Sequence, residues 1–320
     1  MSYSMKCFLG IDVGAVSTNL ALLDSNLDVV FQRYVRTGGR PLASIRSVID
    51  AAGRSSGDLD IVACGTTGSG RRLAAALVGA DIVKNEITAH ATGALHYFPE
   101  ARTIIEIGGQ DSKVILVRDG VVSDFAMNTV CAAGTGTFLD YQASRMGVTI
   151  DEFAGLAAEA GESVTISGRC AVFAETDMIE KQQRGADRGA IARGLCEALA
   201  RNFLTGVAAG RRIDPPVVFQ GGVASNIAVR QAFTRELGCE VMVPELNDVM
   251  GAIGVAILAG RHRRADEPTR FRGFEVHPGE LATRDFECDG CSNRCEIVEI
   301  LHGDKLLSRW GSRCGKWDVA

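Results

Sequence analysis

The sequence predicts an α/β fold in which one strand-first unit occurs twice, with a small cysteine-rich appendage behind it. Three observations carry this. The stretch Ile105-Glu-Ile-Gly108-Gly-Gln-Asp111-Ser112-Lys113-Val-Ile-Leu116 lays without a gap on Ile11-Asp-Val-Gly14-Ala-Val-Ser17-Thr18-Asn19-Leu-Ala-Leu22. Acid, β-branched residue, glycine, polar turn and apolar strand fall in register, and such a match at the head of two halves points to internal duplication. A late apolar run, Val217-Val-Phe-Gln220, passes directly into Gly221-Gly222-Val223-Ala-Ser-Asn226, a strand ending in glycines at a helix start. Glycine is 37 of 320 residues, above the usual fraction of about 7%, so backbone-made turns matter here.

Composition narrows the function classes. A length of 320 residues and 46% hydrophobic content suit two domains, or one large one with an appendage. A net charge of −5 with no basic stripe argues against nucleic acid as a partner. No apolar run approaches the roughly 20 residues of a membrane span. Met1 to Lys6 shows no secretory signal, because the first apolar run is at once a strand. A cytoplasmic protein is expected, and its ten cysteines then read as core thiols, metal ligands or redox groups rather than a disulfide framework.

Taken in order, Phe8 to Val13, Leu20 to Leu23 and Asp28 to Val35 read as strands, the first two joined by a glycine turn with hydroxyls at Ser17 and Thr18. Leu42, Ile45, Val48 and Ile49 have helical spacing over 41–53. Ile61 to Cys64 reads as a strand ending in Gly65-Thr-Thr-Gly68-Ser-Gly70, with helices over 71–78 and 85–97. Glu86 and His90, at i and i+4, read as a helix-face pair. Pro99 closes a first half, 1–98, to which a Gly/Ala-spaced helix within 247–260 is expected to return. The second half, 99–246, adds helices over 171–184, 186–209 and 227–237, and a short strand at 240–243. Residues 261–320 form the appendage.

Between the halves the pattern predicts a cleft approached from each side by an acid and a glycine turn. That suits a nucleotide phosphate chain with Mg²⁺: amides and hydroxyls hold phosphate, and carboxylates hold the metal through water. Two cysteines border helix starts, Cys131 in Asn128-Thr-Val-Cys131-Ala-Ala-Gly134-Thr135-Gly136 and Cys170 in Ser167-Gly-Arg-Cys170-Ala-Val-Phe-Ala-Glu175. Such a position favours an anion, whether phosphate, thiolate or a charged cluster. By themselves the two read first as small buried thiols.

The order of motifs resembles the superfamily of actin, sugar kinases and heat-shock ATPases, a duplicated ribonuclease-H-like (actin-like ATPase) fold. More specifically, Gly10 to Gly14, Glu106 to Lys113, Met127 to Gly136, Ser167 to Glu175 and Gln220 to Asn226 resemble the ATP-dependent activators of 2-hydroxyacyl-CoA dehydratases and the ATPase subunits of benzoyl-CoA reductases. The resemblance covers roughly residues 7–260. It implies a homodimer bridged by one [4Fe–4S] cluster on Cys131 and Cys170 of each copy: a cubane takes four thiolates, and a two-fold axis supplies the pair twice. It further implies ATP/ADP with Mg²⁺, a ferredoxin or flavodoxin as electron donor, and a 2-hydroxyacyl-CoA dehydratase or related reductase as acceptor. By the internal match, Asp12, Gly14, Ser17 and Thr18 face phosphate and Mg²⁺ on one side, and Gly108, Gly109, Gln110 and Asp111 on the other. Gln110 or Asp111 would position the attacking water. Gly134, Thr135 and Gly136 face the nucleotide, and Gly221, Gly222, Val223 and Asn226 line the adenosine pocket.

The appendage carries Cys288-Asp-Gly-Cys291-Ser-Asn-Arg-Cys295 and, after 18 intervening residues, Cys314, a ligand spacing. Zn²⁺ and a second iron–sulfur cluster both suit four cysteines; His302 is a spare donor. Two other functions fit the fold. A sugar or amino-sugar kinase needs a carboxylate base, with Asp111 the candidate, and leaves the two cysteines unexplained. A regulatory or assembly ATPase would use the tail as a binding module.

Overall fold

Strand β1 (Met5–Val13) is the axis of the first sheet. In this computed structural model, which describes residues 4–55, 59–128, 132–264, 267–275 and 281–319, Cys7, Leu9, Ile11 and Val13 on β1 are all essentially buried. From Cys7 to Ile11 the strand is apolar, because helices cover the sheet. It pairs antiparallel with β2 (Ser17–Leu23), which pairs with β3 (Val29–Arg36). On its other side β4 (Leu59–Thr67) runs parallel to it, followed by β5 (Ile82–Val83), giving the order β3-β2-β1-β4-β5.

Helix α1 (Pro41–Ser55) lies between β3 and β4 in the chain and buries Ser44, Ile45, Val48, Ile49 and Ala52, one stripe at helical period. Helix α2 (Arg71–Val78) follows β4 and ends on Gly79 in the left-handed region, where glycine is the residue that fits. Helix α9 (Met250–His262) packs on the sheet at a glycine floor. Gly10 and Gly65 are register partners on β1 and β4. A Cβ on Gly10 would run into the Ala252 carbonyl, and one on Gly65 would stand 2.7 Å from the Val255 carbonyl.

The second sheet repeats the first. Strands β6 (Thr103–Ile107), β7 (Ser112–Arg118) and β8 (Val121–Asn128) form the meander, and β9 (Val217–Gln220) and β10 (Val241–Met242) run parallel to β6, in the order β10-β9-β6-β7-β8. The sequence match holds at the level of register. Asp12 pairs with Asn19 across β1 and β2, and Glu106 pairs with Lys113 across β6 and β7.

By internal contacts the chain divides into Met1–Ala89 with Gly251–Ala320, and His90–Met250. Helix α3 (Glu86–Tyr97) contains the boundary. The second unit adds α4 (Gly136–Arg145), α5 (Ile150–Glu159), α6 (Ala171–Gln183), α7 (Arg188–Thr205) and α8 (Ile227–Leu237). Helix α7 is buried over most of its length, and Asp187 caps it by accepting from the Ala190 amide. Phe233 of α8 meets Phe203 and Phe219 edge-on, at ring distances of 5.5 and 5.1 Å. Such contacts add about 0.5–1.5 kcal/mol each beyond burial.

The appendage folds as an antiparallel sheet of β11 (Leu281–Glu287), β12 (Glu296–His302) and β13 (Lys305–Trp310). The segment before it is tied to the first unit: Arg272 donates to the Ala76 carbonyl, and Asp81 accepts from Thr269 Oγ1 and the Arg270 amide.

Candidate functional site

In the first unit, two turns close around the end of β1. The Gly14 amide donates to the Ser17 carbonyl at 2.8 Å, and the Gly14 carbonyl accepts from Thr37 Oγ1. The Gly70 amide donates to the Val13 carbonyl at 2.8 Å. Gly68, at φ +90°, lies against Asp12: an added Cβ would stand 2.5 Å from Asp12 Oδ1 and run into the Val13 carbonyl. A buried acid thus lies under two glycine turns, and Gly68 is a candidate for the site that the repeat did not disclose. Ser17 is partly exposed. Thr18 is fully buried, and its hydroxyl pairs with Thr37 Oγ1 at 3.0 Å and Ser44 Oγ at 2.7 Å. Its hydroxyl lies in the frame of the turn, because the alternation of β2 turns it into the protein.

In the second unit the turn Gly108–Asp111 closes with the Gly108 amide on the Asp111 carbonyl at 3.0 Å. Gln110 is exposed and Asp111 half-exposed. Beneath them Lys113 Nζ donates to Glu106 Oε2 at 2.7 Å and to Asp111 Oδ1 at 2.8 Å. The Lys113 and Glu106 side chains are only 3% and 5% exposed, so this is a buried charge group. Burial alone would lower the Lys113 pKa; the two carboxylates outweigh it and raise it. The other Glu106 oxygen lies between glycines, 3.3 Å from a Cβ placed on Gly108 and 2.8 Å from one on Gly221. Neither Glu106 nor Lys113 stood out as a functional residue in the sequence, although Glu106 is the partner of Asp12 in the repeat.

His90 is buried near this group. Its Nδ1 lies 3.0 Å from Gln220 Nε2, at the end of β9. Desolvation, then the Lys113 charge, lower its pKa to about 3, so the ring is neutral and Nδ1 accepts from the Gln220 amide. The helix-face reading of His90 gives way to this buried contact.

The start of α4 differs from expectation. The helix begins at Gly136, after a 3-10 turn over Ala132–Gly134. Its leading amides do not stand open for an anion: Gly136 N donates to the Gly108 carbonyl and Thr137 N to the Gly109 carbonyl, both at 2.8 Å, and Thr137 Oγ1 also bonds Gly109. The helix start is stitched to the Gly108 turn, and a Cβ on Gly136 would stand 3.1 Å from Val223 Cγ2. Gly108, Gly109, Gly136 and Val223 therefore share one surface. Gly134 and Thr135 are buried. Gly134 faces α7, where its Cβ would meet Asn202 Oδ1 at 2.9 Å.

At the third glycine pair, Gly221 has φ +89°, and a Cβ there would run into the Ile107 carbonyl. Its amide donates to the Asn247 carbonyl, and Asn247 Nδ2 donates back to the Gly221 carbonyl. Gly222 has open space where a Cβ would stand. Asn226 Oδ1 caps α8, accepting from the Ala228 and Val229 amides, which places its carbonyl oxygen in the helix start.

The cysteines sort by environment. Cys7, Cys64 and Cys196 are buried; burial raises all three thiol pKa values, that of Cys196 to about 12. They are core residues. Cys131 lies outside the described residues. Cys170 is the partly exposed N-cap of α6, followed by Val172 and Phe173, which are 68% and 62% exposed. The turn before it is braced from three sides: Arg201 bonds the Ile166 carbonyl, Asp177 accepts from the Ser167 amide, and Asn202 bonds the Gly168 carbonyl.

Comparison with known proteins gives this arrangement a family. Residues 9–259 match the model of the BadF/BadG/BcrA/BcrD ATPase family. The chain belongs to that family. It is 37% identical over 254 residues to the (R)-2-hydroxyglutaryl-CoA dehydratase activating ATPase of Acidaminococcus fermentans, covering 78% of this chain and 96% of the relative. The crystal structure of component A of that dehydratase superposes with a TM-score of 0.73 at 35% identity, covering 80% of this chain and 98% of that one. The activator of 2-hydroxyisocaproyl-CoA dehydratase from Clostridium difficile, solved with bound ADPNP, gives 0.72 at 31% identity, over 80% and 95%. This family member therefore has the mixed α/β fold of actin-like ATPases, and it is an ATPase. The cysteine-rich tail lies beyond the matched residues. Among the described residues no helix is long and apolar enough to cross a membrane.

Proposed function

We propose that this ATPase is an activator that couples ATP binding and hydrolysis to one-electron transfer, from a ferredoxin or flavodoxin to a 2-hydroxyacyl-CoA dehydratase or a related reductase. Cys170 carries the reading. It stands partly exposed at the start of a 13-residue helix on a braced turn, with exposed Val172 and Phe173 beside it. Apolar side chains so placed suit a second copy of the chain, and the homodimer brings Cys131 and Cys170 together twice. Four thiolates are the donor set of a [4Fe–4S] cluster, which when bound supplies a one-electron carrier. The chain's own part is to hold the two cysteine segments against α7, through Asn202, and to hold nucleotide. Asp12, Gly14, Ser17, Gly108, Gly109, Gln110 and Asp111 take phosphate and Mg²⁺. Gly222, whose open side admits a ligand, and Val223 take the adenosine. Gly136 N and Thr137 N link the cysteine-bearing segment to the Gly108 turn by two hydrogen bonds, so a shift of that turn on hydrolysis is passed to the start of α4.

Anaerobic purification tests this. A brown dimer with about four irons in the core site is expected, and Cys170→Ser should lose that iron while binding ATP. A colourless, iron-free protein after reconstitution would overturn the reading.

A further inference from the structure

We propose that the cysteine-rich end of the small sheet is a mononuclear metal site, a tetrathiolate of Cys288, Cys291, Cys295 and Cys314 for a zinc-class divalent cation. The observations are independent of the activity proposed above.

Cys288 follows the last residue of β11, and Cys295 precedes the first residue of β12. The Cys288 amide donates to the Cys295 carbonyl at 2.8 Å, one step past the last register pair, Glu287 with Glu296. The two cysteines therefore close the hairpin side by side. The loop between them folds around sulfur. The Gly290 amide donates to Cys288 Sγ at 3.4 Å, so the sulfur captures the amide two residues on, as an aspartate oxygen does in an Asx turn. That curl ends one residue before Cys291.

Cys314 arrives on a second turn. Gly311, at φ +118°, lies against the Glu296 carbonyl, which a Cβ would strike, so the chain leaving β13 is pressed onto the residue next to Cys295. Ser312 then shapes the turn, its carbonyl accepting from Gly315 N and its hydroxyl oxygen from Trp317 N. Trp317 closes it, with Nε1 donating to Cys288 Sγ at 3.2 Å. Two turns bearing all four cysteines of the tail are thus pinned to each other through one sulfur.

The chemistry of that sulfur points to a metal thiolate. Cys288 Sγ receives two N–H donors although it belongs to a buried residue. A neutral thiol is a weak acceptor, whereas N–H donors around a ligand atom are the usual second layer of a metal site. The setting is also cationic: Lys316 Nζ lies 5.4 Å from the Trp317 ring centre and 3.8 Å from a Cβ placed on Gly290. A divalent ion on four thiolates carries two net negative charges, which such a neighbour offsets. An all-sulfur set with tetrahedral demand selects zinc over hard, oxygen-seeking cations. Among the described residues no three His, Cys, Asp or Glu side chains already stand in a metal-holding group. The frame is built, and binding would turn in the exposed Cys291 and Cys314 side chains.

The test uses the full chain with Cys131→Ser and Cys170→Ser, so that iron at the core cannot contribute. After purification without oxygen, elemental analysis should find about one zinc per chain, and Co²⁺ in its place should show the visible bands of a tetrahedral thiolate complex. Trp317→Phe keeps the ring and removes the donor; it should weaken metal binding about 10-fold or more with the circular dichroism unchanged. Cys291→Ser should weaken metal binding and lower the intensity of the cobalt–thiolate bands. Metal-free protein with no cobalt–thiolate band would overturn the proposal, as would iron with labile sulfide in place of zinc. Absence of core iron in the unsubstituted chain bears on the electron-transfer reading alone.

Discussion

Asn202 Nδ2 donates to the Gly168 carbonyl at 2.6 Å, and the other face of the same amide takes Gly134, whose added Cβ would lie 2.9 Å from Asn202 Oδ1. One buried side chain on α7 therefore braces the turn that leads into Cys170 and the turn that follows Cys131. Asn202→Ala removes the bond to Gly168 and opens space at both turns. A loss of about 1–2 kcal/mol is expected, read as a fall of a few degrees in melting temperature. Under the proposed electron-transfer function, iron bound per dimer should fall more than ATP affinity does. Equal loss of both would show that Asn202 serves the unit as a whole.

The Lys113 group makes a sharper stability prediction. Lys113→Met leaves Glu106 buried without its cation, and breaking such a pair costs about 3–5 kcal/mol. Adding Glu106→Gln to Lys113→Met should recover most of this, since the buried charge is then gone. Chemical denaturation of the two single variants and the double variant measures the coupling. Additive losses would mean that the short distances carry no interaction energy. If Asp111 works on nucleotide, Lys113→Arg should fold yet hydrolyse ATP more slowly, because a planar guanidinium cannot take the place of a single ammonium between two carboxylates.

Adjacent glycines on the turn after β9 should respond oppositely. Gly221 has φ +89° and a Cβ that would meet the Ile107 carbonyl and Glu106 Oε1; Gly222 has open space. Gly221→Ala adds about 1–3 kcal/mol of backbone strain plus the clash, and should lower the denaturation midpoint clearly. Gly222→Ala should leave it nearly unchanged while weakening ATP binding about tenfold, or about 1.4 kcal/mol, if the nucleotide rests on that open side. Titration calorimetry alongside denaturation separates the two effects.

How far the sequence reached depends on the kind of signal. The two sheets were legible because a strand–glycine–strand pattern carries its own register: Asp12–Asn19 and Glu106–Lys113 are matched pairs both in the repeat and in the ladders. Helix α5 was missed although Thr149 and Glu152 form a capping box, a readable signal beside weaker apolar periodicity. The protein contacts of Thr18, Gly134 and Asn226 were not legible because residue type gives no direction. A hydroxyl next to a glycine turn can face phosphate or Ser44, and only the fold decides. The open amides expected at α4 were hidden for a similar reason: their acceptors, Gly108 and Gly109, lie 28 residues away in the chain, and no local pattern reports such a bond.

His90 supplies a pH dependence whose sign follows from its burial. Desolvation first, then the Lys113 charge, hold its pKa down at about 3, against an ordinary value of 6.5, with Asp111 pulling the other way. The unfolded chain therefore takes up a proton at His90 from about pH 6.5 downward, while the folded chain does not until about pH 3. Its contribution to stability is fully present above pH 6.5 and is lost progressively as the pH falls through that window, at a slope of up to roughly 1.4 kcal/mol per pH unit. His90→Gln, which keeps a polar side chain toward Gln220 without a titrating ring, should flatten the curve between pH 6.5 and about 4.5, where most carboxylates remain ionised. Urea denaturation of both proteins across that range measures the difference. Parallel curves would mean that the His90 ring charges in the folded protein as readily as in the unfolded one, and that its burial against Gln220 does not exclude the proton.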